Sequence, residues 1–226
     1  MLTLTVTTTH RIKEFYEEGK LVLRQQGFFS FLKYMMAFFI RVLFVCGSCY
    51  IYENRLDGPI ITPRLDNLTL KLISTSEEFQ QLLADDFDFS SLTDIPLAIK
   101  RLNRGAKAFY AFVGKEFAHV TWATTSRKAK GDFHPYPIEG EDTACVGATI
   151  TAPQYRRKGI NVYVHSQVFR CLKEEGLSRA FISINKDNIA AQNSQKKLGS
   201  VRWGNGYYVR LLYLFNYMWT KSRMNR

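Results

Sequence analysis

The segment with the clearest chemical character is Thr149–Asn161, which reads TITAPQYRRKGIN. A strand pattern ends at Thr151, Pro153 interrupts it, and a basic loop with one glycine leads into a helical pattern that begins at Val162. The first backbone N–H groups of a helix have no partner inside the helix, and the helix dipole adds positive potential there. The segment therefore predicts a cradle for an anion, with phosphate as the expected group.

The loop suits a phosphate through its glycine and its cations. Gly159 lets the backbone approach a pyrophosphate closely, and Arg156, Arg157 and Lys158 bring positive charge around it. The loop lacks the GxxxxGK spacing and the following Ser or Thr of a nucleoside triphosphatase, and it lacks the GxGxxG of a dinucleotide-binding fold. Both of those classes are therefore excluded.

The net charge of +11 is concentrated in the same half of the chain. Residues 150–226 hold 14 Lys and Arg against three acidic residues, whereas residues 1–149 are neutral overall. A basic half favours an anionic partner: nucleic acid, acidic lipid or a phosphorylated cofactor. Trp203, Tyr207 and Tyr208 lie among these cations, but no helix-turn-helix or RNP-type motif accompanies them, which argues against nucleic acid.

The composition of the 226 residues limits the class of protein. A hydrophobic share of 46% excludes full-length disorder, and a charged share of 23% excludes a membrane-embedded bundle. The four cysteines are too few for a disulfide scaffold, and Cys46 and Cys49 have no second pair or histidine cluster near them in the sequence, so no metal is expected. The N-terminus lacks the pattern of a signal peptide, and a cytoplasmic location is expected.

The elements that must position the loop alternate between strand and helix patterns. Over residues 67–220 the predicted order is β-α-α-β-β-β-α-β-α-β, which we expect to form one domain. Hairpins join some of these strands and helices join others. The expected fold class is therefore a layered α/β (α+β) fold.

Residues 1–60 are expected to form an N-terminal helical, amphipathic extension. Residues 27–52 are the most apolar stretch of the chain, but Lys33 and Arg41 interrupt them, so a membrane-spanning helix is disfavoured. At about 100° per residue both cations fall within one narrow stripe, and the remaining face is apolar. Such a helix either docks on protein or lies in a membrane interface with its cations at the headgroups, and the sequence leaves both open.

The loop and a second segment together resemble the GNAT superfamily of N-acetyltransferases. The family signature, Arg/Gln-x-x-Gly-x-Gly/Ala between a strand and a helix, corresponds here to Arg156–Asn161. Downstream, Asn188-Ile-Ala-Ala and Lys197-Leu-Gly resemble the family's N-x-x-A and K-L-G-F segment. The resemblance covers roughly residues 67–217 and agrees with the predicted order of elements. It implies a central mixed, mostly antiparallel sheet flanked by helices.

The resemblance also implies a site for acetyl-coenzyme A, or another acyl-coenzyme A, as the acyl donor. The backbone N–H groups of the loop would hold the pyrophosphate, the end of the strand would pair with the pantetheine arm, and Asn188 would reach the same arm. The residues concerned are Thr149, Ile150, Thr151, Arg156, Arg157, Lys158, Gly159, Ile160, Asn161 and Asn188. The implied reaction is direct attack of a primary amine on the thioester, without a metal.

The sequence departs from the family pattern at positions that bear on catalysis. Asn161 stands where Gly or Ala is usual, Gln195 where many members have a tyrosine that protonates the leaving thiolate, and Ser200 where Phe is usual. The attacking amine must lose a proton, and Glu141, just before a strand that would line the site, is the expected base. Tyr207 is the expected acid. Their alternative roles are a solvated carboxylate and aromatic strand packing.

The sequence thus predicts an N-acyltransferase whose amine acceptor stays open. Two alternatives stand beside it: a catalytically silent coenzyme-A-binding protein that docks to a membrane or a partner, favoured by Gln195, and a basic nucleic-acid-binding module. Attachment through residues 27–52 would place the cytoplasmic protein at the inner membrane face. His165 is isolated from other candidate groups in the sequence and is expected to be structural or exposed.

Overall fold

The computed structural model describes residues 22–36, 44–60, 65–89, 93–125, 140–211 and 215–222, together with Lys20 and Pro63. The chain divides into two compact units. The smaller consists of Met1–Gly47 and Tyr208–Tyr217, and the larger of Ser48–Tyr207 and Met218–Arg226. All residues of the candidate site below belong to the larger unit.

The described residues contain eight strands and five helices. The strands are β1 (Phe44–Arg55), β2 (Thr69–Ile73), β3 (Ala106–Val113), β4 (Glu116–Thr124), β5 (Thr143–Thr151), β6 (Arg179–Asn185), β7 (Val201–Leu211) and β8 (Phe215–Ser222). The helices are α1 (22–36), α2 (Ser76–Ala84), α3 (Ile95–Leu102), α4 (Ile160–Glu174) and α5 (Ile189–Lys197).

The strands form one sheet in the order β2-β3-β4-β5-β6-β1-β7-β8. Neighbouring strands from β2 to β5 pair antiparallel, as do β6 and β1. The pair β5 and β6 is parallel, and α4 provides the crossover between them. The prediction of a mixed, mostly antiparallel sheet flanked by helices is confirmed.

The hydrophobic core explains why the central strands have almost no polar face. Strands β3 and β4 are buried along nearly their whole length, as expected for strands that are covered on both faces. Helix α4 contributes Ile160, Val164, Val168 and Leu172, which recur every fourth residue and form its buried face. Phe79 from α2 packs against the ring of Tyr110, with ring centroids 5.8 Å apart. This packing fixes the strand and helix ends that surround the candidate site.

Strand β1 comes from the residues that the sequence analysis assigned to the extension. It lies between β6 and β7 in the sheet, and its register with β6 runs from Cys49↔Asn185 to Arg55↔Arg179. Ile51 is fully buried, and Tyr52 and Asn54 are almost completely buried. The later part of the predicted extension therefore forms an interior strand of the sheet.

Helix α1 belongs to the smaller unit and carries exposed apolar side chains. Gly27 has a φ of 82°, a left-handed conformation that interrupts the regular helix. Beyond it, Phe28 is 65% exposed and Phe29 is 81% exposed. The apolar stretch 27–52 is divided between α1 and β1, and residues 37–43 lie outside the described residues. Within the part of the chain that is described, a helix with the length and apolar character needed to cross a bilayer is not found.

Candidate active site

A cleft opens where the parallel strands β5 and β6 separate. The two strands are paired from Thr143↔Arg179 to Val146↔Ile182, yet both continue beyond this point. A bulge interrupts the pairing of β5 with β4 here, and Ala148 within it has a φ of 47°. Bulges bend the strand that carries the extra residue. The cleft has a volume of about 920 Å³, and the separated ends of both strands line it.

The loop that follows β5 is anchored to the sheet by a single carboxylate. The turn Pro153–Tyr155 brings two side chains onto Glu116 at the start of β4. The hydroxyl of Tyr155 donates to Oε2 over 2.6 Å, and Nε2 of Gln154 donates to Oε1 over 2.7 Å. The hydrogen bond from Tyr155, followed by that from Gln154, lowers the pKa of Glu116 below its usual value. Glu116 therefore fixes the turn Pro153–Tyr155, which leads into the basic loop.

The N-terminus of α4 has the geometry that an anion cradle requires. Arg157 and Gly159 both have left-handed backbones, with φ of 63° and 79°. Gly159 is the N-cap residue, and no side chain caps the helix. The first N–H groups of α4, beginning at Ile160, therefore have no partner within the helix and meet the cleft. A Cβ on Gly159 would meet only Leu65 Cδ2, at 4.0 Å, so the protein itself leaves this space open.

The structure brings two of the three predicted cations to the cleft. Arg156 and Arg157 are exposed and line it, and Nε of Arg156 donates to the carbonyl of Thr151 over 3.3 Å. Lys158 is not among the described residues that line the cleft. Its Nζ lies 5.0 Å from the centroid of the Tyr155 ring. The other predicted coenzyme-binding residues, Thr149–Thr151, Gly159–Asn161 and Asn188, all line the cleft.

Helix α5 forms the opposite wall and presents two carboxamides. Asn188 caps this helix, because its Oδ1 accepts from the N–H of Ala191 over 3.1 Å. Gln195 is only 1% exposed, and its Oε1 accepts from Nδ2 of Asn54 in β1 over 3.4 Å. Ser200 Oγ lies 2.8 Å from the same oxygen and 2.5 Å from Oδ1 of Asn54. The oxygen of Gln195 is thus engaged by Asn54 and Ser200.

Two buried histidines lie near the cleft, of which one lines it and the other contacts the lining residue Thr151. His119 has both ring nitrogens 2.8 Å from threonine hydroxyls, those of Thr151 and Thr121. His165 is 2% exposed and lines the cleft. Burial, followed by the neighbouring His165, lowers the pKa of His119, and burial lowers the pKa of His165 to about 4. Both rings are therefore neutral at pH 7. The sequence predicts that His165 is structural or exposed, and the structure places it in the wall of the cleft.

The structure does not bring Glu141 or Tyr207 to the cleft. Glu141 is exposed in the turn before β5, roughly 20 Å along the strand from the end that lines the cleft. The ring of Tyr207 is stacked on Trp219, with centroids 5.3 Å apart and an interplanar angle of 15°. Neither residue is among the described residues that line the cleft. Their roles as base and acid stay predictions.

Several lining residues were not singled out from the sequence. They include the end of β6 and one residue of α5: Ile182, Ser183, Ile184, Asn185 and Ser194. The predicted order of strand, helix and strand around α4 could have indicated β6, because a helical connection commonly makes the two strands parallel neighbours. The signal for His165 is its position four residues after Asn161, on the same side of the helix. Groups of His, Cys, Asp and Glu that could hold a metal ion are not found among the described residues.

Comparison with known proteins identifies the fold. No protein-family model matches the chain, and no curated protein matches it. A Drosophila protein solved by a structural genomics consortium has a TM-score of 0.53 and 10% identity over 74% of this chain and 52% of that one. A functionally unknown conserved protein from Staphylococcus epidermidis has a TM-score of 0.50 and 10% identity over 77% and 65%, respectively.

A further similar structure is named for its activity. It is the GCN5-related glucosamine N-acetyltransferase region of a fungal multi-domain GH3 β-N-acetylglucosaminidase, with a TM-score of 0.51 and 12% identity. The match covers 76% of this chain and 22% of that protein. The present chain spans about half of the Drosophila protein and less than a quarter of the fungal one. The fold is that of GCN5-related N-acetyltransferases, so the fold implied by the sequence resemblance is confirmed.

Proposed function

We propose that this protein is an N-acyltransferase that moves an acetyl or other acyl group from acyl-coenzyme A to a primary amine. The observation that supports the proposal is the continuity between the cradle at the start of α4 and the cleft between β5 and β6. Coenzyme A joins a pyrophosphate to an extended arm that carries amide groups. An anion site that leads into a groove with an unpaired strand edge is complementary to such a molecule.

The residues of the cleft fit both parts of coenzyme A. The free N–H groups at the start of α4 would bind the pyrophosphate, and Arg156 and Arg157 would add charge-assisted hydrogen bonds. Beyond Val146, the edge of β5 that faces away from β4 is not paired with β6. The backbone of Thr149–Thr151 can therefore pair with the amide groups of the arm as an added strand would. The coenzyme supplies the activated acyl group.

The reaction proposed is direct attack of the amine on the thioester carbonyl carbon. The new C–N bond forms as the C–S bond breaks, and the electron pair of the C–S bond leaves with the thiolate. A backbone N–H near the bulge in β5 is suited to polarise the carbonyl. Because Glu141 and Tyr207 lie away from the lining residues, we favour a water chain for removal of the amine proton. Gln195 can donate a hydrogen bond to the thiolate, but its amide cannot act as a general acid that protonates it.

Two measurements on the whole chain test this function. Calorimetric titration with acetyl-coenzyme A should give saturable binding, and its absence would refute the proposal. Release of free thiol is then followed with amino sugars, peptide N-termini, lysine and small amines as acceptors. Thiol release that depends on one class of amine supports acyl transfer. Saturable binding with no thiol release in any sample would instead favour the catalytically silent coenzyme-A-binding protein.

We further propose that α1 attaches the protein to an anionic membrane surface. The exposed side chains beyond Gly27 are Phe28, Phe29, Leu32, Lys33 and Met36, so the exposed face of this helix is apolar apart from one cation. The charged residues between positions 20 and 36 are all cations: Lys20, Arg24 and Lys33. An exposed apolar face with cations and no acidic residue is complementary to anionic lipid headgroups and the acyl chains below them.

The double variant Phe28→Ser and Phe29→Ser is expected to lose binding to vesicles that contain phosphatidylserine. The reason is that it removes the two most exposed aromatic rings of α1 without changing charge. Flotation of the whole chain with anionic and with neutral vesicles measures the effect. Val201→Ser is the matched control, because Val201 is as exposed as Phe28, at 65%, but lies in β7. Equal flotation of the double variant and the unchanged chain would contradict attachment through this face of α1, and no flotation of the unchanged chain would favour docking on protein.

A further inference from the structure

A cluster of two cations and three aromatic rings lies beside the cleft and has no part in the proposed binding of the coenzyme. This Tyr50 cluster consists of Tyr50 in β1, Lys186 directly after β6, Arg202 and Tyr207 in β7, and Trp219 in β8. All five residues belong to the larger unit. Trp219 is 41% exposed, and the other four are half-buried. None of these five described residues is among those that line the cleft.

Aromatic rings hold the two cations of the cluster. Cζ of Arg202 lies 3.5 Å from the centroid of the Tyr50 ring, and Nζ of Lys186 lies 5.5 Å from the same centroid and 5.2 Å from that of Tyr207. Nη2 of Arg202 donates to Oδ1 of Asn205, a neutral acceptor, over 2.6 Å. Among the described residues, no carboxylate forms an ion pair with either cation. Because a ring face attracts a cation but has no net charge, both positive charges stay available to an anion from outside.

The backbone that carries Lys186 is fixed by its neighbours. Nε2 of Gln192 in α5 is buried and donates to the carbonyl oxygen of Lys186 over 2.7 Å. The N–H of Asp187 donates to Oδ1 of Asn185 over 3.3 Å, which closes the same turn. Tyr50 packs against the hydrophobic core. A cation held in this way loses less conformational freedom on binding an anion than a flexible surface lysine does.

The Tyr50 cluster adjoins the cleft through β6. Tyr50 is paired with Ile184 in the register of β1 and β6, and Ile184 lines the cleft. Lys186 directly follows Asn185, which lines the cleft as well. A strand advances by about 3.3 Å per residue, so Lys186 lies roughly 7 Å from Ile184. One end of a small molecule can therefore meet the cluster while its other end lies in the cleft.

We infer that the Tyr50 cluster binds a negatively charged group, a carboxylate or a phosphate, of the amine acceptor. The inference rests on the proposed function and narrows the acceptor from any primary amine to one that carries an anion. Guanidinium and ammonium groups both form charge-assisted hydrogen bonds with these anions. Cations beside an exposed ring also suit single-stranded nucleic acid. The position next to the cleft favours the acceptor, because nucleic acid does not require that position.

The test measures binding to the whole chain after saturation with free coenzyme A, which occupies the cradle and keeps other anions out of it. Calorimetry compares O-phosphoethanolamine with ethanolamine, and β-alanine with β-alaninamide. Each pair shares a primary amine and differs in the anion. At least one anionic amine is expected to bind roughly ten-fold or more tightly than its neutral counterpart. The pair that shows the difference distinguishes phosphate from carboxylate.

Substitution of Lys186 locates the binding of the anion. Lys186→Gln should weaken the binding of the preferred anionic amine roughly ten-fold, because a charge-assisted hydrogen bond is lost. The affinity for coenzyme A should stay the same, which also shows that the variant is folded. Lys186→Arg retains the charge and should retain the affinity for the amine. The matched control is Lys196→Gln, which removes the same charge from an exposed position of α5 outside the residues that line the cleft.

Several results would overturn the inference and leave the proposed function in place. They are equal or undetectable affinities within both pairs of amines, and an equal effect of Lys186→Gln and Lys196→Gln. Equal affinities within both pairs, together with binding of oligothymidylate that Lys186→Gln abolishes, would assign the Tyr50 cluster to nucleic acid instead. If the unchanged chain does not bind coenzyme A, the proposed function and the inference fail together.

Discussion

A chain with Gly159→Asp is expected to lose measurable binding of acetyl-coenzyme A. The position is the N-cap of α4 and borders the cleft, so the new side chain would enter the space that the pyrophosphate requires. Its carboxylate would also place a negative charge beside the phosphates, where juxtaposed like charges cost several kcal/mol. A loss of that size corresponds to an affinity at least roughly 100-fold weaker. Calorimetry with acetyl-coenzyme A measures it directly.

The same helix offers a matched control for this substitution. Gly176 follows the C-terminal end of α4, has a φ of +82° against +79° at Gly159, and has nothing within 4 Å of an added Cβ. Gly176→Asp therefore carries a similar backbone strain of about 1–2 kcal/mol. Its stability should fall by a similar amount, but its affinity for acetyl-coenzyme A should not change. Equal affinities in the two variants would show that the cradle at the start of α4 does not hold the phosphates.

A chain that begins at residue 61 is expected to lose its cooperative unfolding transition. This truncation removes β1, which lies between β6 and β7 in the sheet. The buried side chains of Ile51, Tyr52 and Leu56 go with it, and each large buried apolar side chain stabilises the fold by about 1.5–3 kcal/mol. Such a sum is comparable with the whole free energy of unfolding of a typical domain, about 5–15 kcal/mol. Thermal unfolding followed by circular dichroism measures the result.

The control for this truncation is a chain that begins at residue 44. It lacks α1 but keeps all of β1, so it should unfold cooperatively and still bind acetyl-coenzyme A. If the chain that begins at residue 61 unfolds at the same temperature as the full chain, β1 does not stabilise the sheet. The comparison also separates the two parts of the predicted extension, since only α1 is proposed to meet lipid.

The coenzyme loop could be predicted because its signals are local. The Pro, the cations and the Gly between Thr149 and Asn161 lie next to one another in the chain, and their backbone consequences follow from elementary helix geometry. The approximate order of elements could also be predicted, because apolar residues recur with a different period in helices and in strands. These two local signals were sufficient for the layered α/β class and for the residues Thr149–Thr151, Ile160 and Asn161 of the cleft, whereas the mostly antiparallel sheet was implied by the family resemblance.

The rest of the site depends on pairing between distant residues, which single-sequence patterns do not contain. Strand β1 pairs with β6, more than 120 positions further along the chain, and nothing in the sequence of either strand indicates the other as its partner. Asn54 meets Gln195 across 141 positions of the chain, so no spacing rule could connect them. The sequence points to Glu141 because it precedes β5, but the two ends of a strand lie far apart, and the cleft lies at the other end.

The interior position of β1 has a consequence for synthesis on the ribosome. Most of a sheet can form as its strands emerge, but β1 is made early and its partners β6 and β7 come late. At about 5–20 residues per second, the 141 positions between Asn54 and Gln195 take on the order of 10 s to translate. During that interval both edges of β1 lack their final partners, and an apolar strand in that state is prone to pair with other chains. Nascent chains of this protein are therefore expected to need a holding chaperone more than those of a domain whose early strands pair with one another at once.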